Sequence, residues 1–579
     1  MEPKLTSPAE RDRRVLKLYD QLSEIEQRLI PTGLHVFGCP SESGERADML
    51  RMIASFDRPE AGARALPDLV AQGLGLPSYN SLLKSAALDQ GRLKEREQVE
   101  SIVSEAVQAF VERGPEAAVQ LLQSRANVDP KQSTHVFKLL DRISKHLETN
   151  NELESLTRAL RGEYIEPGPG ADIVQNPLVL PTGRNTHAIN PYAIPSTVAF
   201  TRAERVANSL LERYQNEHGR YPRAMALILW GLDNIKTQGE GVAQALWLLG
   251  VRPVRDALNR VTEVEPIPLA ELQRPRIDVV MTVSGIFRDL FSPTVQVLDK
   301  AVRLVAQLQE PVEMNYVRRH ILEQMESDSC DFDEAAVRVF SNAPGNYGTN
   351  VNFMVLDSQW DRDSTLGDLF VTRKCFAYGR DSRGCSIEGR EARLAMDRAL
   401  TRVEATYQNI DTFEIGITDV DHYFEYLGGI SKAVEKRASR RPAIYLSDTL
   451  SRDAKIRSLE ETVRLETRAK TLNPKWYEGM LKHGFRGVAE IESHVSNTFG
   501  WSATADAVDD WVYTEVAKTF LFDQAMLERL RTLNPYSAHS LAERLLEAHG
   551  RGYWEVDQAI VDKLKDISGQ LEDQLEGVA

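Results

Sequence analysis

The sequence predicts an α/β fold: a mostly helical N-terminal part, a central doubly wound parallel-sheet region and a helical C-terminal part. Three observations carry this. Ala224–Trp230 and Ile277–Val283 are short continuous apolar runs, as strands buried on both faces display. Each is followed by a polar cluster and then a helical pattern, the alternation that builds a parallel sheet. Up to about residue 160, and again from Ser458 onward, apolar residues recur at helical spacing.

An opening helix is expected from Ser7 to about Ile30. Val15, Leu18, Leu22, Ile25 and Leu29 share one face, with Ser7 as cap and Pro8 in the first turn. Residues 45–160 continue as helices, among them Gln98–Arg113 and Ser133–Glu148, with a break at Gly73–Pro77. The Gly/Pro-rich connector Glu166–Asp172 leads to an apolar stretch ending at Leu178–Asn185, and reads as a domain boundary or an active-site loop. Three regions are therefore expected: 1–165, mainly helical; 166–345, Rossmann-like α/β; and 346–579, α/β passing to mainly helical. Within the second, helices are predicted at Ser196–His218, Gly241–Leu249 and Phe291–Leu308, with a further strand near Val261–Pro266. Within the third, Arg390–Tyr407 reads as helix, Pro442–Leu446 as strand and Val556–Glu576 as a charged amphipathic helix.

At 579 residues the chain needs about two to four packed units. Hydrophobic residues at 42% and charged residues at 27% are those of a globular protein. A net charge of −15 argues against a nucleic-acid scaffold, which must neutralise phosphates with clustered Lys and Arg. Cys39, Cys330, Cys375 and Cys385 form no CxxC pair and read as reduced structural cysteines of a cytoplasmic protein. The start of the sequence has no apolar signal region, and no apolar run reaches the roughly 18–20 residues of a membrane span, so membrane contact is at most peripheral.

Polar clusters directly after buried strands are the most informative sites, because a parallel sheet aims those ends at one crevice. The first holds Trp230, Asp233, Asn234 and Lys236; the second Ser284 and Arg288; the third Asn342, Asn346 and Tyr347. Together they suit a polar pocket with an aromatic wall, and they equally suit ordinary turns and helix caps. None forms a GxxxxGK[ST] loop, so no direct ATP site is expected. Arg184, Asn185 and His187 combine a turn, a cation fit to clamp a carboxylate and an imidazole. Asp419, Asp421 and His422 place two carboxylates and an imidazole within one short stretch, a set that suits proton acceptance or Mg2+ hand-over as well as it suits an acidic helix start. The aromatics of Leu472–Gly479 look exposed, whereas Trp501, Trp511 and Trp554 read as core.

The runs WGLDNIKTQGEGVAQALWLLGVRPV, RPRIDVVMTVSGIFRDLF, SNAPGNYGTNVN, LNPKWYEGML, GWSATADAVDDWVY and GRGYWE, in this order, resemble the magnesium chelatase large (H) subunit and cobaltochelatase large-subunit family. The resemblance covers about Ile30 to the end of the chain and only the C-terminal portion of a longer family member, so the missing N-terminal half of the large subunit is expected as a further partner. It implies protoporphyrin IX and Mg2+ as substrates, ATP hydrolysed by a separate AAA+ motor subunit with its adaptor, and a cytoplasmic or plastid-stromal setting in chlorophyll or bacteriochlorophyll synthesis. Carried onto this sequence, it assigns the porphyrin pocket to Arg184, Asn185, His187, Asp233, Asn234, Lys236, Ser284, Arg288, Asn342, Asn346 and Tyr347. Metal delivery or proton acceptance falls to Asp419, Asp421 and His422, followed by Glu240 and Glu478. The competing readings are Co2+ insertion into a corrinoid precursor, a non-catalytic porphyrin-binding or assembly module and, on fold analogy alone, a sugar-nucleotide transferase.

Overall fold

A computed structural model describes residues 8–28, 30–58, 61–85, 89–170, 173–186, 189–361, 363–412, 414–449 and 455–578. The chain divides into two compact units, one of residues 1–29 and 35–187 and one of residues 30–34 and 188–579. The first is helical, as expected. Its helices run Pro8–Gln27, Ser43–Ala54, Leu66–Gly73, Tyr79–Ser85, Gln90–Arg113, Pro115–Ala126, Pro130–Glu148 and Glu152–Leu160. Ser7 and Leu29 lie outside the described residues. Leu50, Leu66, Val99, Val103, Phe137 and Leu140 are among the residues that form its core.

The second unit is built on an eight-stranded sheet. Its strands are β1 (Ala224–Leu229), β2 (Asp278–Val283), β3 (Val339–Ser341), β4 (Phe376–Ala377), β5 (Arg390–Glu391), β6 (Ala405–Ile410), β7 (Ala443–Asp448) and β8 (Lys455–Ser458). Their order is β8-β7-β6-β1-β2-β3-β4-β5. The central five, β7-β6-β1-β2-β3, are parallel, and β4, β5 and β8 add antiparallel edges. From β1 the chain winds outward through β2 and β3, then crosses back to lay β6 on the other side of β1. The order therefore reverses between β1 and β6, a topological switch point whose crevice opens at the strands' carboxyl ends.

Helices cover both faces. On β1, Ala226 and Ile228 join one core with Phe370, Leu427 and Phe499, while Met225, Leu227 and Leu229 join the other with Leu210, Leu246 and Leu298. Successive residues point to opposite faces, so a strand clad on both sides reads as a near-continuous apolar run. β1 shows this throughout, and β2 at all but Asp278 and Thr282.

Two expected elements are corrected. Val261–Pro266 is a strand, but it pairs antiparallel with Val251–Arg255 in a hairpin outside the main sheet. The stretch Arg390–Tyr407 is helical only over Arg393–Arg402, flanked by β5 and by the start of β6. β6 escapes the apolar-run pattern because Thr406, Gln408 and Asn409 interrupt it, although all three are buried. One polar atom of each is bonded sideways: Thr406 Oγ1 lies 2.8 Å from Ser431 Oγ, Gln408 Oε1 accepts from Trp230 Nε1 at 3.3 Å, and Asn409 Oδ1 accepts from the Tyr407 hydroxyl at 2.7 Å. A division at residue 345 falls inside this sheet, since β3 before it pairs with β4 after it.

Of the three π-helical turns among the described residues, Phe424–Gly428 and Thr467–Thr471 border the crevice; the third is Ala517–Phe522. Such turns carry one extra residue, re-aim the side chains around them and recur at functional sites. The first packs against the helix Phe485–Ala505 glycine by glycine. A Cβ on Gly500 would stand 2.6 Å from the Phe424 ring, and one on Gly428 would stand 2.1 Å from Thr504 Oγ1. Gly500→Ala should therefore destabilise the protein by about 1–3 kcal/mol, because a filled core has no room for the methyl group. Chemical denaturation would measure the loss.

Candidate functional site

At the switch point β1 is followed by Trp230 and β6 by Asp411. The helix Gly231–Lys236 then carries Asp233, Asn234 and Lys236 across the crevice. Asn234 is a fastener: its Nδ2 donates to the Trp230 carbonyl at 2.7 Å, and its Oδ1 accepts from Val242 N at 3.2 Å. This fixes the following helix, Glu240–Leu249, so that Glu240 and Asp233 both lie inside. Lys236 Nζ lies 3.0 Å from Asp411 Oδ2. Burial, then the neighbouring charges of Asp411 and Glu240, push the Asp233 carboxyl well above the usual carboxylate range; Asn409 and Lys236 only partly oppose them. Burial likewise raises Glu240 against the pull of Arg202 and Arg205.

An aromatic wall stands beside these acids. The Trp230 ring is 4.6 Å from that of Tyr426 and 5.8 Å from that of Tyr423. Burial and the carboxylates Asp411, Asp233, Glu466 and Asp419 hold the Tyr423 hydroxyl protonated well above its usual range. Tyr423 therefore stands between two carboxylate groups.

The second group surrounds Asp419. This side chain accepts hydrogen bonds from Lys470 and from Gly416 N, and its Oδ1 lies 2.8 Å from His494 Nε2. Burial opposes its ionisation, but His494 and Lys470 more than offset that and leave it a firm carboxylate. Glu466 accepts from Ile417 N and Thr418 N, both at 3.1 Å. Trp476 closes the floor, wholly buried against the His494 ring at 4.3 Å, so the exposed appearance of its segment is corrected. Trp501 and Trp554 are core residues, as expected; Trp511 is half-buried and packs beneath Arg468.

Asp421 and His422 belong to a different set of bonds from Asp419. Asp421 Oδ2 accepts from Asn352 at 2.6 Å, and His422 Nδ1 lies 2.9 Å from Glu425 Oε2. Glu425 also accepts from the Thr349 backbone and hydroxyl and from Asn350 N. The hydrogen bond to Glu425 raises the His422 pKa, with burial opposing. Among the described residues no group of three or more His, Cys, Asp or Glu side chains is arranged to hold a metal ion.

The loops after β2 and β3 form a third group. Ser284 Oγ caps Phe287 N at 3.1 Å and also accepts from Gly231 N. Arg288 Nη1 donates to the carbonyls of Asn342, Ala343 and Asn346, while its guanidinium lies 5.4 Å from the Tyr347 ring centre. Tyr347 is half-exposed and donates to Asp289. Asn342 Oδ1 accepts from Lys374 at 2.7 Å, and that buried ammonium stands 3.9 Å over the Tyr426 ring. Burial holds the Lys374 pKa well below its usual value.

The structure thus brings Asp233, Asn234, Lys236 and Glu240 together, and gathers Ser284, Arg288, Asn342, Asn346 and Tyr347 into one knot. Glu478 is elsewhere, bound by the two Nη nitrogens of Arg529 at 2.8 and 2.7 Å. Arg184 lies in the other unit, where its guanidinium donates to the carbonyls of Leu178, Leu180 and Pro181. The Asn185 backbone pairs with Pro167, and His187 lies outside the described residues. Sequence reasoning missed Asp411, Lys374, Glu425, Glu466, Lys470 and His494. Asp411 was findable as the polar residue ending a strand, had β6 been read as one.

The profile of the CobN/Magnesium Chelatase family matches residues 2–561. The chain belongs to this family. The chloroplastic magnesium-chelatase ChlH protein of Oryza sativa subsp. indica is 45% identical over 601 residues, covering 99% of this chain and 43% of the relative. The magnesium-chelatase H protein of Chlorobaculum parvum is 37% identical over 582 residues, covering 98% of this chain and 45% of that protein. Among solved structures, the catalytic subunit of cobaltochelatase from Mycobacterium tuberculosis aligns with a TM-score of 0.89 and 35% identity, over 99% of this chain and 47% of that one. The chain spans less than half the length of these relatives. No described helix of this family member is long and apolar enough to cross a membrane.

Proposed function

We propose that the chain is part of the porphyrin-binding large subunit of a magnesium chelatase, which inserts Mg2+ into protoporphyrin IX during chlorophyll or bacteriochlorophyll synthesis. ATP is hydrolysed by a separate AAA+ motor with its adaptor, in keeping with a sequence that has no phosphate-binding loop. The rest of the large subunit completes the enzyme, in the cytoplasm or the plastid stroma.

One observation carries this reading: the aromatic wall of Trp230, Tyr423 and Tyr426 stands beside the carboxyl groups of Asp233 and Asp411 at the switch point. A flat macrocycle stacks on aromatic faces. Its metallation needs acceptors for the inner N–H protons and oxygen groups to take water's place on Mg2+. The donors around the crevice are mostly carboxylates and hydroxyls, which favour Mg2+ over softer ions. The likeness to a cobaltochelatase subunit supports a second reading, insertion of Co2+ into a corrinoid precursor.

Titration of the chain with a soluble protoporphyrin analogue, followed by tryptophan quenching, tests the proposal. Saturable binding is expected, weakened about tenfold in Trp230→Ala. Unchanged binding in that variant, or preferred binding of a corrinoid, would overturn it.

A further inference from the structure

Two short helices that follow β1 and β2 at the crevice carry their polarity inside out. In Gly231–Lys236, Asp233 and Asn234 are buried while Leu232 is 52% exposed; in Gly285–Leu290, Arg288 is buried while Ile286 and Leu290 are 44% and 40% exposed. The water-facing side of a helix ordinarily takes its polar residues, and exposed large apolar side chains are informative when they stand together. These do. A Cβ on Gly231 would stand 2.6 Å from Ile286 Cγ2, and one on Gly285 would strike the Tyr347 ring, so the first helix lies against the second and Tyr347, itself 52% exposed, lies against the second from its other neighbour loop. The surface is also held in place. The Tyr347 hydroxyl donates to Asp289 at 2.8 Å, and its carbonyl accepts from the hydroxyl of Tyr426, a member of the aromatic wall, at 2.6 Å. A fixed apolar centre that includes a tyrosine and is edged by charge, here Asp289, has the anatomy of a protein interface.

We infer that this apolar rim of Leu232, Ile286, Leu290 and Tyr347 is the docking face for the portion of the large subunit that lies outside this chain. This rests on the proposed chelatase function. Length and charge select the occupant. More than half of each relative lies outside the part that this chain matches, so a large subunit of this family holds a further body longer than this chain. A stable interface covers about 800 Å² on each side, which four side chains begin and only a sizeable partner completes. A second copy of this chain is the poorer fit, because each carries a net charge of −15 and two such bodies repel. Docking here also reaches the crevice. Tyr426 is bonded to the Tyr347 carbonyl, so a partner that fixes the rim fixes one face of the aromatic wall with it.

Two measurements test the docking face. A photo-reactive phenylalanine analogue placed at Leu290, and separately at Leu232, should join on irradiation of the assembled large subunit to peptides of the portion outside this chain, identified by mass spectrometry. Cross-links to a second copy, to residues 35–187 of the same chain, to the ATP-hydrolysing partner or to no protein would overturn the inference. Amide hydrogen exchange gives the second readout. Exchange in Gly231–Lys236 and Gly285–Leu290 should be at least about tenfold slower in the assembled subunit than in the chain alone, and Leu290→Asp should abolish the difference. On the chain alone Leu290→Asp should leave the denaturation midpoint and the affinity for the soluble protoporphyrin analogue unchanged, because that side chain faces water there. Equal exchange in the two states, or a porphyrin affinity weakened about tenfold in Leu290→Asp, would overturn the docking face, the latter by making the macrocycle its occupant. Failure of the unaltered chain to bind porphyrin, or its preference for a corrinoid, would instead overturn the parent reading and leave the cross-linking result standing.

Discussion

Replacing Asp419 by Asn is expected to cost about 3–5 kcal/mol of stability, the largest effect of any single change at the crevice. Lys470 is 1% exposed and His494 equally buried, and the Asp419 carboxylate is the acidic group bonded to both. Removing its charge leaves the Lys470 ammonium in a low-dielectric interior that it cannot leave without unfolding the turn Thr467–Thr471. Asp419 is also a poor proton acceptor, since its neighbours hold it ionised. Asp419→Asn should accordingly lower the denaturation midpoint sharply. In variants refolded at low temperature it should leave the pH profile of any metal insertion in place. A stable Asp419→Asn protein would show that the Lys470 pairing is not what anchors this wall.

Asp278→Asn is expected to have a comparable effect and to change how stability depends on pH. Asp278 is buried at the amino end of β2, where Arg338 Nε donates to it at 2.9 Å and His320 Nδ1 lies 2.8 Å away, with Arg402 near by. Burial alone would raise its pKa, but the Arg338 charge and the His320 hydrogen bond bring it down to about 2. A carboxylate depressed in the folded state gives stability that is fully present above its unfolded value, near 3.8, and lost as pH falls through about 2. The gap corresponds to about 2 kcal/mol. In Asp278→Asn that part of the acid dependence should vanish, while Arg338, wholly buried, loses its counter-charge and costs about 3–5 kcal/mol at neutral pH. Denaturant titrations at pH 2, 4 and 7 would separate the two contributions; parallel loss at every pH would contradict this account.

The sequence by itself determined the α/β class, because β1 is apolar at every position and β2 at all but Asp278 and Thr282, the near-continuous apolar run expected of strands clad by helices on both faces. It determined the helical first unit through periodicity, and it placed the polar clusters after β1, β2 and β3 that fold into the crevice region. It determined the family as well, through motifs spread along the chain. Only the tertiary structure decided which strands are neighbours. β6 carries Thr406, Gln408 and Asn409 because it flanks the switch point, and those same residues hid it as a strand. With β6 hidden, Asp411 had no reason to be set against Asp233, far from it in the sequence. The π turns decided the rest: Glu425 and Lys470 point inward because an extra residue in each turn rotates them there, which helical periodicity does not encode. Asp419 and Asp421 are close in sequence but separated by bonding, since Lys470 and His494 claim one and Asn352 the other. Such pairings are set by which helices meet across the sheet, and meeting is a property of packing rather than of local pattern.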